Sequence, residues 1–185
     1  MHRPHVLSAV VVTLFLCACD ARKDFSGAYV ASGVLTLTEG GREIKTDLKE
    51  LPLVIVADAF DSDRLYLDFD CGLSATMKDG EDGATFVLDS KACPSYTKDS
   101  CSFTWVFYSG VGSLKDDGAL DFGPNGAIRV QCSDGSGVVN FKFRLTGVRK
   151  TGSTSAPGAQ SDDVRSRQMA ALRAAVMEAV RSQRQ

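Results

Sequence analysis

Histidine is almost absent from this chain of 185 residues: the two copies, His2 and His5, both lie at the extreme N-terminus. No imidazole is therefore available in the remainder of the sequence. A Ser-His-Asp triad, a Cys-His nucleophile pair and a His-ligated metal centre all require that group. The sequence thus predicts a non-catalytic protein that carries no metal or other cofactor.

An apolar run long enough to cross a bilayer is also missing at the start of the chain. The run at residues 6–18 has 13 residues, whereas a membrane-spanning helix needs about 20. A short head carrying Arg3 precedes the run. A charged head followed by ~7–15 apolar residues is typical of an export signal. We therefore predict that residues 1–18 are a signal peptide.

The end of this run, Leu16-Cys17-Ala18-Cys19, resembles the lipobox of bacterial lipoproteins. The resemblance implies a diacylglycerol on the Cys19 sulfur, cleavage of the chain before Cys19, and a fatty acid such as palmitate on the new amino terminus. Cys17 is the rival attachment point, but Leu16 is too large for the small-residue position before it. Residues 19–24 would then form a lipidated tether.

Asp20, directly after the expected lipid site, matches a second feature of that family. In enterobacterial lipoproteins an Asp at this position favours retention in the inner membrane. The resemblance therefore implies a protein anchored at the cell membrane and facing the periplasm, with the outer membrane as the alternative.

Basic residues are too sparse in the central part of the chain for nucleic-acid binding. Residues 25–148 contain 11 Lys and Arg against 18 Asp and Glu, a net charge of −7. Residues 149–185 contain seven basic and three acidic residues, a net charge of +4. A nucleic-acid-binding domain carries a dense basic patch on its folded part. We expect a membrane and another envelope protein as partners instead.

No two cysteines beyond Cys19 have the C-x₂₋₄-C spacing of zinc sites. Cys71, Cys93, Cys101 and Cys132 remain, and an even number of cysteines in an exported chain predicts two disulfides with three connectivities. We favour Cys93–Cys101, because the polar segment between them can form a turn. Cys71 would then pair with Cys132, since each continues the apolar face of a predicted strand.

Alternating apolar and polar residues predict a disulfide-linked β domain over residues 25–150. The clearest example is residues 139–145, where Val, Phe, Phe and Leu alternate with polar residues as in a strand with one buried face. Strands are predicted at residues 28–38, 51–57, 64–71, 84–89, 102–109, 120–122, 127–132 and 138–148.

Glycine-containing turns separate most of these segments. They are predicted at residues 39–41, 79–80, 82–83, 117–118, 123–126 and 133–135. About eight short strands with regular turn signals favour a mainly β fold, an antiparallel meander that forms a small barrel or a sandwich. A barrel of that size either holds one small ligand or is filled by side chains.

The composition changes after residue 150. Residues 151–161 are rich in Gly, Ser, Thr, Pro and Ala, which predicts a flexible linker, and residues 162–185 lack Gly and Pro, which favours a helix. Three roles stay open for this helix. It could be a solvated terminus, dock on the β domain or a partner, or contact an anionic membrane through its five arginines.

Acidic residues are grouped at several points, and carboxylates can act as acid–base pairs or calcium ligands. Asp68 and Asp70 lie two apart on one predicted strand, and further groups occur at residues 58–63 and 79–82. Neither group fits the spaced calcium-loop motif. We interpret all three as solvated strand and turn residues.

One predicted strand is apolar on both faces. Phe103, Trp105 and Phe107 share one face, and Val106 and Tyr108 share the other. We predict that the first three line a pocket or a partner face; the alternative is a core strand whose outer face is covered. If the second face is exposed, it indicates a partner surface.

The sequence as a whole favours a membrane-anchored bacterial lipoprotein acting as a non-catalytic binding or interaction module in the cell envelope. The alternative is a lipocalin-like carrier of a small apolar ligand, which a hollow barrel would permit. Residues 25–150 resemble no domain family by their motifs.

Overall fold

A computed structural model of the chain describes residues 20–69, 71–80, 83–98 and 100–150. The signal peptide predicted at 1–18, the lipid site Cys19, the linker at 151–161 and the helix at 162–185 lie outside the described residues. The elements are α1 (Ala21–Phe25), β1 (Gly27–Glu39), β2 (Arg42–Ala57), β3 (Arg64–Asp68), β4 (Leu73–Gly80), β5 (Gly83–Leu88), β6 (Lys91–Ala92), β7 (Tyr96–Lys98), β8 (Cys101–Leu114), β9 (Leu120–Cys132) and β10 (Gly135–Arg149).

The described strands form one antiparallel sheet of ten strands that closes on itself. Consecutive strands pair within the run β1 to β5 and within the run β8 to β10. The two runs are joined by pairing of β10 with β1 and of β5 with β8. The short strands β6 and β7 lie along β8. The predicted mainly β antiparallel meander is confirmed, as a ring rather than a two-layer sandwich.

The ring is not a regular barrel, because its strands differ greatly in length. β3 has 5 residues, whereas β2 has 16 and β10 has 15. β2 pairs with β3 only over residues 54–57, so the hairpin of β1 and β2 extends past the short strands. Gly40 and Gly41 turn this hairpin with φ angles of 56° and 80°, which glycine adopts at little cost.

The interior is filled mainly by aromatic side chains. In β10, Val139, Phe141, Phe143 and Leu145 are buried while the residues between them are exposed, as the alternation predicts. Phe69 lies among three further rings, with centroids 5.6 Å from Phe143 and 6.1 Å from both Phe107 and Phe122. Such edge-to-face contacts are the favoured geometry for aromatic pairs.

Two long strand segments were not predicted, and neither were the short strands β6 and β7 or residues 110–114 of β8. One is β4, where the buried Leu73 and Ala75 alternate with Ser74 and Thr76. Its small and polar residues give a weak strand signal. The other is the first half of β2, residues 42–50, which is charged and pairs with β1 along its length. Pairing with a neighbouring strand, rather than local composition, determines both.

The turn predicted at residues 123–126 is wrong, because this segment continues β9 without interruption. Gly126 allows close contact with β8, since a Cβ there would overlap the carbonyl oxygen of Val106 and lie 2.7 Å from Cζ of Phe141. Pro124 has no N–H to donate to a sheet. The pairing with β10 accordingly passes from Asn125–Lys142 directly to Phe122–Leu145.

Two disulfides are present, as predicted, but the predicted pairing is wrong. The structure joins Cys71 to Cys93 and Cys101 to Cys132. The N–H of Cys93 donates to the carbonyl oxygen of Trp105 at 2.8 Å, four positions along β8 from Cys101, or about 13 Å at the rise of a strand. Cys101 lies instead directly opposite Cys132 in the β8–β9 register.

The close contact at Gly126 gives a stability prediction with a matched control on the same strand. Gly126→Ala should lower the free energy of unfolding by about 1–3 kcal/mol, because the added methyl group overpacks the interface with β8. Gly123→Ala should change it by less than about 0.5 kcal/mol, since its Cβ would lie 3.7 Å from the nearest atom, the carbonyl oxygen of Phe143. Urea denaturation of both variants measures the difference, and equal stabilities would contradict the assigned contact.

Candidate functional site

The aromatic face predicted as a pocket or partner face belongs to the hydrophobic core. Phe103, Trp105 and Phe107 are 5%, 2% and 1% exposed. The Trp105 ring lies 4.9 Å from that of Phe141 between centroids. These three side chains therefore do not form an exposed partner face.

Trp105 has one unusual feature within this interior. Its indole Nε1 is buried and has no hydrogen-bond partner among the described residues. A buried donor without an acceptor is costly, and such groups often mark a place where a water or a ligand supplies the acceptor.

The opposite face of the same strand is partly exposed. Val106 is buried, but Tyr108 is 49% and Val111 is 53% exposed. Tyr108 continues the outer face of Val106, and a bulge between Phe107 and Ser109 places Val111 on that face as well. The chain between β5 and β6 runs beside residues 108–110, where Ser90 Oγ donates to the carbonyl oxygen of Phe107 at 3.1 Å.

A second surface lies at the end of the ring where the described chain begins. Residues 20–24, expected to be part of a tether, instead include the first residues of helix α1, which starts at Ala21 and is capped by the side chain of Asp20. Phe25 is 1% exposed, with its ring 5.2 Å from that of Phe86 and edge-on to it. The helix is therefore docked onto the end of the ring.

Arg149, at the end of β10, holds the other side of this helix. Its guanidinium donates hydrogen bonds to the carbonyl oxygen of Asp24 and, at 2.9 Å, to the hydroxyl oxygen of Tyr29. The Tyr29 hydroxyl in turn donates to the carbonyl oxygen of Phe25 at 2.8 Å. Burial is the main cause that raises the pKa of Tyr29, which therefore remains a neutral donor at neutral pH.

Arg22 joins the helix to the loop between β2 and β3. Its guanidinium makes two 2.9 Å bonds to the carboxylate of Asp20. The same group donates to the carbonyl oxygen of Asp58 at 2.9 Å and to that of Asp61. One planar cation thus fixes the start of the described chain and the loop at residues 58–63 to each other.

The loop between β2 and β3 carries a fully solvent-exposed phenylalanine. Phe60 is 100% exposed, and the Asp58 carboxylate accepts hydrogen bonds from the N–H of Phe60 at 2.7 Å and from the N–H of Asp61 at 3.0 Å. This is the Asx-type turn that Asp favours. Phe60 is therefore held at the tip of the turn, and the half-exposed Tyr66 donates its hydroxyl to the Asp58 carboxylate.

The turn depends on the charge of Asp58. Hydrogen bonds from the N–H groups of Phe60 and Asp61, and then from the Tyr66 hydroxyl, hold the pKa of Asp58 below its ordinary value of 3.8. The stabilisation is fully present above that ordinary value. It is lost as the pH falls through the lowered pKa, because the protonated acid is a weaker acceptor.

The structure describes only part of the carboxylate sets considered from the sequence, since Glu81 and Asp82 lie outside the described residues. Among the described residues, no group of three or more His, Cys, Asp and Glu side chains is placed to hold a metal ion. Asp58 is engaged by its own turn, and Asp61 forms an ion pair with Arg64 at 3.4 Å. Asp70, one member of the proposed acid–base pair, lies outside the described residues.

Sequence reasoning did not identify Phe60 or Arg22. The contacts of Arg22 span 36 and 39 positions along the chain, and nothing in the local pattern indicates them. A phenylalanine among aspartates was the one available signal, and a buried phenylalanine could have the same neighbours in the sequence.

Comparison with known proteins identifies no relative of this chain. No protein-family model matches the chain, and no curated protein or solved structure matches it. No helix in the described residues has the length and apolar character needed to cross a membrane.

The Arg22 contacts predict a local effect that its neighbour should not share. Arg22→Gln should increase the rate of cleavage within residues 58–63 by an Asp-specific protease roughly five-fold or more, because the loop opens locally once its carbonyl oxygens lose their donor. Lys23→Gln, one position along on an exposed site, should leave the rate unchanged. Equal rates in both variants would contradict the role of Arg22.

Proposed function

We propose that the chain is a lipid-anchored, non-catalytic interaction module of the bacterial cell envelope. The lipid is attached at Cys19, and the β domain faces the periplasm from the cell membrane, where it binds another envelope protein. Asp20 after the lipid site favours the cell membrane over the outer membrane as the location.

The observation that carries the proposal is how the two faces of the ring are used. The inner face is occupied by packed aromatic rings, including all three residues first considered as a pocket. Recognition of a partner therefore falls to the outer face. Tyr108 and Val111 offer apolar surface there, and Tyr is enriched where proteins bind one another.

Two disulfides in the described domain are consistent with an exported protein. Cys71–Cys93 fastens the segment after β6 to the turn after β3, and Cys101–Cys132 joins β8 to β9. Such bonds persist in oxidising compartments such as the periplasm. Cys101–Cys132 also holds β8, the strand that carries Tyr108, against β9.

A carrier of a small ligand is the second candidate, and one observation favours it. The unpaired Nε1 of Trp105 is a donor inside the ring, and a small apolar ligand with one acceptor atom would satisfy it. Such a ligand would have to displace part of the aromatic packing around Trp105.

The lipid anchor is tested by changing one cysteine at a time in the full chain. Cys19→Ser should abolish incorporation of labelled palmitate and cleavage of the chain before residue 19. Cys17→Ser should leave both unchanged, because a small residue still occupies that lipobox position. Palmitate incorporation that survives Cys19→Ser and is lost with Cys17→Ser would place the lipid on the other cysteine, and no incorporation in the native chain would refute the anchor.

The interaction is tested by photo-crosslinking in intact cells. A photoreactive phenylalanine analogue in place of Tyr108 should give a discrete crosslinked band containing an envelope protein. The same analogue in place of Lys45, an exposed residue on β2, should not, since β1, β10 and β9 separate β2 from β8. If neither position crosslinks and native mass spectrometry of the purified protein reveals a releasable small molecule, the carrier is the correct reading.

A further inference from the structure

We propose that the end of the ring carrying α1 lies against the bilayer and that Phe60 inserts into the lipid–water interface. The domain would then have one fixed orientation on the membrane rather than moving freely at the end of a flexible tether. This inference rests on the proposed lipid at Cys19 and adds a second, non-covalent contact with the same membrane.

The first step is the length of chain between lipid and domain. Asp20 directly follows Cys19 in the sequence, and consecutive Cα atoms are about 3.8 Å apart. Asp20 is already fixed, because its carboxylate caps α1 and binds the guanidinium of Arg22. Lipid on Cys19 would therefore hold the start of α1 within one residue of the membrane surface.

The second step is the position of the loop relative to that point. Arg22, two residues after Asp20, donates to the carbonyl oxygens of Asp58 and Asp61 on either side of Phe60. The loop tip is thus carried to the membrane together with the anchor. A fully exposed Phe is costly in water, and aromatic rings are favoured at the membrane interface.

The third step concerns the acidic residues of the loop, which could oppose contact with anionic lipids. The Asp58 carboxylate accepts bonds from the loop's own N–H groups and from Tyr66. The Asp61 carboxylate accepts from the N–H of Asp63 at 3.0 Å and is paired with Arg64. Asp63 in the loop and Asp24 on α1 remain exposed, as does Lys23, so the contact relies on the Phe60 ring and the lipid rather than on charge attraction.

The two ends of the ring provide the contrast that a test needs. Val138 is 53% exposed near the start of β10, whereas Arg149 at the other end of the strand contacts α1. They are eleven positions apart in β10, or about 36 Å along a strand. A probe at Val138 would stand clear of the bilayer, while one at Phe60 would enter it.

The test uses the lipidated full-length protein in vesicles of phosphatidylethanolamine and phosphatidylglycerol that contain a brominated lipid. Phe60→Trp should emit at shorter wavelength in vesicles than in detergent-free buffer and lose at least half of the added emission to bromine quenching. Val138→Trp should show neither effect. Trp105 is 2% exposed, and its emission, measured in the unsubstituted protein, is subtracted from both.

The outcomes separate this inference from the proposed anchor. If the protein floats with the vesicles but Phe60→Trp is quenched no more than Val138→Trp, the fixed orientation is wrong and the anchor stands. If the native protein fails to float, the anchor is wrong and the orientation falls with it. Phe60→Trp in residues 20–185, exported without the lipid, should show no quenching, because one aromatic side chain alone binds membranes too weakly.

Discussion

Closure of the sheet between β5 and β8 is the contact on which the rest of the described structure depends. Three residue pairs make it, from Thr85–Ser113 to Val87–Val111. At its centre the ring of Phe86 lies against Gly112, where any Cβ would overlap it. Phe86 also supports Phe25 of helix α1. Ring closure and docking of the helix therefore share one aromatic side chain, so a residue larger than glycine at position 112 would disturb both.

Docking of α1 changes what a lipid at the start of the chain would do. A flexible tether would let the domain sample all orientations within its reach. Here Asp20 is bound by Arg22, and the same guanidinium holds the carbonyl oxygens of Asp58 and Asp61. An anchor on the preceding residue would act on the folded domain directly, with little slack, and the energy of lipid insertion would orient the whole ring.

The sequence predicted the fold class well because one buried face imposes a period of two on long strands such as β10. It failed where that signal is weak or misleading. β4 is built from small and polar residues, and Gly126 serves close packing rather than a turn. The disulfide pairing failed because Cys93 lies opposite Trp105, a result of the register of β6 on β8. Register is a property of the assembled sheet, and the local pattern of residues in a single strand does not reveal it.

The surfaces proposed to bind a partner or the membrane were harder to predict than the core for a related reason. An inward position is constrained by packing and leaves a pattern, whereas exposure of Phe60 or Tyr108 depends on which neighbours fail to cover it. The structure places these two residues at different distances from the end of the ring that carries α1. Tyr108 lies six positions along β8 from Leu114, or about 20 Å, and Leu114 pairs with Leu120 at the end of the ring that carries α1. With that end on the bilayer, the exposed face of β8 would stand upright beside the membrane, at a height suited to a neighbour anchored in the same membrane.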